Sequence, residues 1–178
     1  MTKHPDFNAP WITALLSDPN IQYIKPVSNF YKSTPVSNSM FEVTLHNPRA
    51  IKSHISFRRP SKEPDAIARI EDCLLMSLGD GIDGKSGRAH GGFNSLILDQ
   101  MGGTCAHHTV PQQTPPATAT LTVDYKAPIN TPGVVLARAW VTEISGRKIW
   151  VRGVIENGDG TPLSTARALF ISNKSAML

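Results

Sequence analysis

Apolar and polar positions change period along this chain, and the changes mark its elements. Alternation is clearest late in the sequence. Leu121, Val123 and Tyr125 alternate with Thr120, Thr122, Asp124 and Lys126, the pattern of a strand with one buried face. Residues 134–144 and 149–156 are long runs rich in Val, Ile and Trp, and Ser145-Gly146 between them predicts a hairpin turn. Asn157-Gly158-Asp159-Gly160 marks another turn, and residues 163–171 predict a last strand. The C-terminal half therefore reads as an antiparallel meander. Upstream, residues 40–45 and 51–57 are expected as short strands either side of the turn signal His46-Asn47-Pro48. Residues 61–64 form a polar loop, and residues 67–78 an element ending in a buried strand. Between the two groups, residues 93–106 predict a helix. Leu96-Ile97-Leu98 puts apolar groups on three of its sides, because successive residues stand about 100° apart. Such a helix is expected to be buried nearly all round, with antiparallel strands from before and after it forming the sheet that wraps it.

Residues 1–38 are rich in Pro, Ser and Asn, broken by Trp11-Ile12-Thr13-Ala14-Leu15-Leu16, which predicts a short helix ending near Pro19. The expected division is an arm, 1–38, packing on a domain, 39–178. A chain of 178 residues with 40% hydrophobic and 18% charged content can bury a core of its own. No stretch approaches the roughly 20 apolar residues of a membrane helix, and no signal peptide is expected. Cys73 and Cys105 lie far apart without metal spacing, so two free thiols in a reducing, cytoplasmic compartment are expected. His107 and His108 are adjacent, point apart on a helix and make a poor metal pair, so no metal is expected. The formal net charge of +4 is concentrated in Arg49, Lys52, Arg58, Arg59, Lys62 and Arg69, either a solvated surface or a patch for an anionic ligand. No nucleic-acid motif accompanies it.

The stretch GDGIDGKSGRAHGG, residues 79–92, admits two readings. Gly79, Gly84, Lys85 and Ser86 spell the phosphate loop GxxxxGK[ST]. That loop needs a helix to start at its Lys-Ser. Here Gly87, Gly91 and Gly92 follow, each opposing helix by about 1 kcal/mol relative to Ala. Hairpins follow in turn, where alternating strands and helices are required. The second reading starts the helix near His90 and leaves the Gly91 and Gly92 amides in its unsatisfied first turn. There, with the helix dipole, they suit a developing negative oxygen. Gly92, Ser95, Asp99, Gly102/Gly103 and Ala106 then share one stripe, all small but Asp99, where a backbone, a partner helix or a substrate can come close. A carboxylate on so apolar a helix must be paired, hydrogen-bonded or in a cavity. Either it bonds a backbone amide or a base such as Arg88, or it acts as general base or nucleophile.

His90-Gly91-Gly92, Asp99 nine positions after the His, and the strand running from Thr118 through Leu121 and Tyr125 to Pro128 together resemble the hotdog-fold acyl-CoA thioesterases. The closest pattern is the branch of the phenylacetyl-CoA thioesterase and the human thioesterase superfamily members. The resemblance covers residues 78–171. It implies an α+β hotdog domain, an antiparallel sheet wrapped around one central helix, here with an N-terminal helical extension. It also implies homodimers joined edge to edge, often paired into homotetramers, with active sites at the subunit interface. No cofactor is implied; coenzyme A enters as part of the substrate. Carried over by position, the Gly92 amide, with Gly91, would polarise the thioester carbonyl, and His90 would orient the loop or hydrogen-bond near that carbonyl. Asp99 would face the neighbouring subunit's glycines and attack directly or activate water, which Thr118 would help position. Arg58, Arg59 and Lys62 are the candidates to meet coenzyme A phosphates. The expected function is hydrolysis of an acyl thioester of coenzyme A or of a carrier protein. A dehydratase, lyase or decarboxylase on the same fold, or a non-catalytic acyl-binding protein, are its rivals.

Overall fold

The computed structural model describes residues 4–24, 38–112 and 114–173; the rest of the expected arm lies outside them. A 3-10 turn (Pro5–Asn8) leads into helix α1 (Pro10–Leu16) and a short strand β1 (Gln22–Tyr23). Strands β2 (Ile51–Pro60) and β3 (Ile70–Leu78) follow, then the small strands β4 (Asp83–Lys85) and β5 (Arg88–Ala89). Helix α2 (Gly91–Thr109) precedes β6 (Ala117–Tyr125), β7 (Gly133–Ser145), β8 (Lys148–Glu156) and β9 (Pro162–Ile171). Seven strands make one antiparallel sheet in the order β1-β2-β3-β7-β8-β9-β6, and β4–β5 is a separate hairpin. Helix α2 lies across one face of the sheet, against β7, β8 and β9, as the period changes in the sequence predict.

Strand β3 shows why its sequence is a continuous apolar run rather than an alternation. Leu74, Met76 and Leu78 point to the helix side and join Ile97, Leu98, Met101 and Phe170 in the main core. Cys73 and Leu75 point to the other face, where Phe7 and Ile12 of the arm cover them together with Phe57 and Leu136. A strand covered on both faces has no polar side to show. The arm is further pinned by Asp6, which accepts a 2.5 Å bond from Ser77 and pairs with Lys52.

The structure corrects three local expectations. Residues 40–45 are not a strand; Met40–Thr44 form a single π-helical turn, closed by the Leu45 amide on the Met40 carbonyl at 2.8 Å. Phe41, Val43 and Leu45 alternate, but Phe41 and Leu45 also stand one helical turn apart, and these two reach the core while Met40 and Val43 stay exposed. So short a run carries both periods at once. Second, β3 begins at Ile70, and Ile67 remains exposed. Third, the stripe of small residues on α2 is split. The Phe170 ring packs where a side chain on Gly102 would stand, 2.8 Å from that Cβ position, and Ala106 is fully buried. Only Gly92, Ser95, Asp99 and Gly103 face outward on that side, at least in part.

Candidate active site

Helix α2 begins where the sequence places it. His90 is its N-cap, and the imidazole Nδ1 accepts a 2.9 Å bond from the Gly92 amide. With Nδ1 an acceptor, a neutral ring carries its proton on Nε2. The two glycines are thereby separated. The Gly92 N–H is spent on the cap, whereas the Gly91 N–H has no partner among the described residues. Gly91 sits at the positive end of a 19-residue helix, where an unpaired amide favours an anionic oxygen.

Gly91 opens into a cleft of about 540 Å³ lined by the β4–β5 hairpin, the start of α2 and the segment after β6. The hairpin lies tight against the cap: a Cβ on Gly84 would stand 2.9 Å from the His90 ring. Tyr125 stands over the helix start, its hydroxyl donating to the Gly91 carbonyl at 3.3 Å and 2.7 Å from Ser95 Oγ. Asn94, 4% exposed, forms part of the wall; its Nδ2 donates to Ser164 Oγ at 3.1 Å and its Oδ1 has no partner. Tyr125 and Asn94 are the members that sequence reasoning missed. Their signal was faint: a Tyr at the end of an alternating strand, and one amide in an otherwise apolar first turn.

Asp99 lies two turns further along α2, half-buried, and accepts a 2.8 Å bond from Thr118 Oγ1 on β6. The structure thus brings Asp99 and Thr118 together, and brings His90, Gly91 and Gly92 together, but keeps the two groups apart. Eight residues at 1.5 Å rise put Asp99 about 12 Å from Gly91. A carbonyl held on the Gly91 amide is beyond the reach of the same chain's Asp99, because reacting atoms must come within about 3–3.5 Å.

Arg58, Arg59 and Lys62 do not line this cleft. Arg58 faces the buried carboxylate of Asp72 at 3.6 Å, and Arg59 bonds that of Glu71 at 2.7 Å. Lys62 is exposed in the loop after β2. The cations of the cleft are Lys85, Arg88 and Lys126 instead. Among the described residues no group of three or more His, Cys, Asp and Glu is placed to hold a metal ion, and no helix is long and apolar enough to cross a membrane. Cys73 and Cys105 are free and buried; burial pushes both thiols well above their ordinary range.

Residues 86–164, from the tip of the β4–β5 hairpin through α2 into β9, match the family model of the thioesterase superfamily. Over 100 residues the chain is 37% identical to the acyl-coenzyme A thioesterase THEM4 of Rattus norvegicus, covering 56% of this chain and 41% of that protein. The chain thus spans about two fifths of the length of that curated relative. Among solved structures, a phenylacetic acid degradation-related protein of Ralstonia eutropha superposes with a TM-score of 0.58 at 18% identity, over 80% of this chain and 96% of its own. A Bacillus halodurans protein determined with CoA superposes with a TM-score of 0.51 at 19% identity, over 56% of this chain and 65% of its own. At these identities the likeness is one of fold, and that fold is the hotdog: a large antiparallel sheet with one long helix packed against it.

Proposed function

We propose that this chain hydrolyses acyl thioesters of coenzyme A at a site assembled from two copies of itself. The observation that carries the reading is the division of α2, with an amide at Gly91 that is unpaired among the described residues and a hydrogen-bonded carboxylate at Asp99 about 12 Å away. Two antiparallel copies of the helix would place the carboxylate of one beside the amide of the other. Strand β6 suits such pairing. It forms one edge of the sheet, its only described neighbour is β9, and its inward residues Leu121 and Val123 are only half-buried. An edge of this kind is a template for a second strand.

In this reading the Gly91 N–H polarises the thioester carbonyl and holds its oxygen as negative charge develops. His90 fixes the first turn by capping Gly92 rather than by touching the substrate, so Gly91 takes the donor role expected first of Gly92. Asp99 either removes a proton from an attacking water or attacks the carbonyl carbon itself. The carbon–sulfur bond then breaks and the thiolate leaves; where water attacked, the acid is released directly, and where Asp99 attacked, water hydrolyses the mixed anhydride to free the acid and restore Asp99. Thr118 donates its hydroxyl proton to Asp99, which orients that carboxylate and leaves the Thr118 oxygen free to accept from the water. Coenzyme A as the carrier is supported by the name of the rat relative and by the CoA in the Bacillus halodurans neighbour. The two buried free thiols suit a reducing compartment.

Release of thiol from a panel of acyl-CoA esters tests the reading. The wild-type protein is expected to turn over at least one ester, and Asp99→Asn to lose about 10²–10⁴ in kcat. Equal rates for the two proteins would refute the role of Asp99.

A further inference from the structure

We infer that the β4–β5 hairpin is a phosphate-binding lip, on which Lys85 and Arg88 hold the phosphate end of the thiol carrier while its thioester lies at Gly91. The inference rests on the thioester reading above and adds to it how the carrier is recognised. Lys85 and Arg88 are directly paired across the hairpin, are exposed, and line the cleft that Gly91 opens into. Neither has a carboxylate partner among the described residues, whereas Arg49, Lys52, Arg58, Arg59, Arg138 and Arg152 each have one. A third cleft cation, Lys126, shares its charge with Asp124 at 3.8 Å.

The one acid on the hairpin does not cancel the pair. Asp83 turns both oxygens inward. One accepts from the Gly87 amide at 2.8 Å, the other from the Thr131 hydroxyl. The remaining backbone is tied down as well. Thr131 N–H donates to the Gly87 carbonyl at 3.1 Å, Ala89 N–H to Ile129 at 3.0 Å, and His90 N–H to Ile82 at 2.8 Å. Gly87 adopts φ +74°, the left-handed conformation that the turn requires and glycine supplies. Two cations on a loop already fixed in place lose little freedom on binding an anion.

The position of the pair says what kind of anion it takes. Arg88 is three residues from Gly91, so its Cα lies within about 10 Å of that of Gly91, and its long side chain reaches further still. An anion at the far end of a linker from the thioester is thus within reach of the pair, in the same cleft as Gly91. Two carriers present such an anion: coenzyme A, through its nucleotide phosphates, and a carrier protein, through the phosphodiester of its prosthetic arm. The lysine of the GxxxxGKS stretch, Lys85, thus meets phosphate after all. It does so from a strand–turn–strand lip, not from the start of a helix.

The test uses one acyl group carried on coenzyme A, on phosphopantetheine and on pantetheine. It compares the wild-type protein, Lys85→Ala/Arg88→Ala, and Lys148→Ala as an exposed cation on β8. The double variant is expected to lower the ratio of kcat/KM for acyl-CoA over acyl-pantetheine about tenfold, mainly through KM, as two partly solvated charge contacts allow. It is also expected to flatten the dependence of KM on salt, while Lys148→Ala keeps the wild-type ratio. A loss as large for acyl-phosphopantetheine as for acyl-CoA assigns the lip to a single phosphate; a larger loss for acyl-CoA assigns it to the nucleotide. An unaltered ratio, or an equal loss with acyl-pantetheine, overturns the inference. Should the wild-type protein release thiol from none of the esters, the thioesterase reading falls, and calorimetry with coenzyme A decides the lip separately. Binding by the wild type that the double variant loses upholds it, and no binding overturns it.

Discussion

Arg58 and Arg59 carry the same formal charge as Lys85 and Arg88, yet the two pairs live in opposite surroundings. Arg58 and Arg59 sit on β2 directly across from Asp72 and Glu71 of β3, and each faces a carboxylate that is 2% exposed. Glu71 is also held by Arg138, which reaches Glu63 and Glu156 as well, at 2.8–3.1 Å. These charges are spent inside the protein. They keep buried carboxylates from standing alone, which is costly, and have little left for a ligand. Lys85 and Arg88 keep theirs on the lip of a cleft. A count of basic residues sees only the first cluster, because it is denser; register and pairing decide which charges are available.

The comparison can be sharpened or broken by substitution. The largest effect is expected at the point the lip serves. Gly91→Pro removes one N–H at a helix position that tolerates proline, after His90 in the extended conformation that proline requires of its predecessor. Gly91→Ala is the matched control, because any Cβ here stands 3.2 Å from the Tyr125 ring and displaces it slightly. The proline variant is expected to have a kcat about 10²–10³ below the alanine variant; equal kcat values would remove the amide from the mechanism. Next comes the buried cluster. Arg138→Met leaves Glu63, Glu71 and Glu156 short of their shared cation and is expected to cost about 3 kcal/mol. Thermal unfolding would then come roughly 6–12 °C earlier, without a change in KM for acyl-CoA. A shift in KM with unaltered stability would break the distinction between the two kinds of charge.

The smallest effect is expected at the arm, where Lys52 is spent on Asp6. The hydrogen bonds from Lys52 and Ser77 hold the Asp6 carboxyl below its ordinary value. A carboxyl whose folded pKa is depressed favours the folded state fully above its unfolded value of about 3.9. That contribution fades as pH falls through the lower folded value. Melting curves of wild type and Asp6→Asn should therefore differ at neutral pH and begin to converge only as pH falls below about 4. A constant difference down to strongly acid pH would mean that Asp6 acts through packing, not charge.

Much of this was legible in the letters. The alternation of Leu121, Val123 and Tyr125 and the apolar faces of residues 93–106 gave strands and helix in the right order, because period follows directly from which face is buried. A start of α2 near His90 was legible because Gly87, Gly91 and Gly92 oppose a helix beginning at Lys85-Ser86, and the Gly91 and Gly92 amides suit an unsatisfied first turn. The roles of the two glycine amides were not. They depend on which amide the His90 ring turns to, a rotamer choice that no spacing encodes. The neutralisation of Arg58 and Arg59 required the register of β2 on β3. That register is written only in the match of Arg58-Arg59 to Glu71-Asp72 across a nine-residue interval whose turn was placed too early. Residues 40–45 failed for want of length, since six residues support either period.

The most direct measurement is thiol release by a mixture of two disabled proteins, Asp99→Asn and Gly91→Pro, unfolded and refolded together. Each alone lacks one half of every site. In a mixed dimer one site receives an intact Gly91 amide from one protomer and an intact Asp99 from the other. Random pairing makes half the dimers mixed, with one good site in two, so roughly a quarter of the wild-type rate should return. No recovery, with mixed dimers demonstrated by mass spectrometry, would contradict a site divided between two copies of α2.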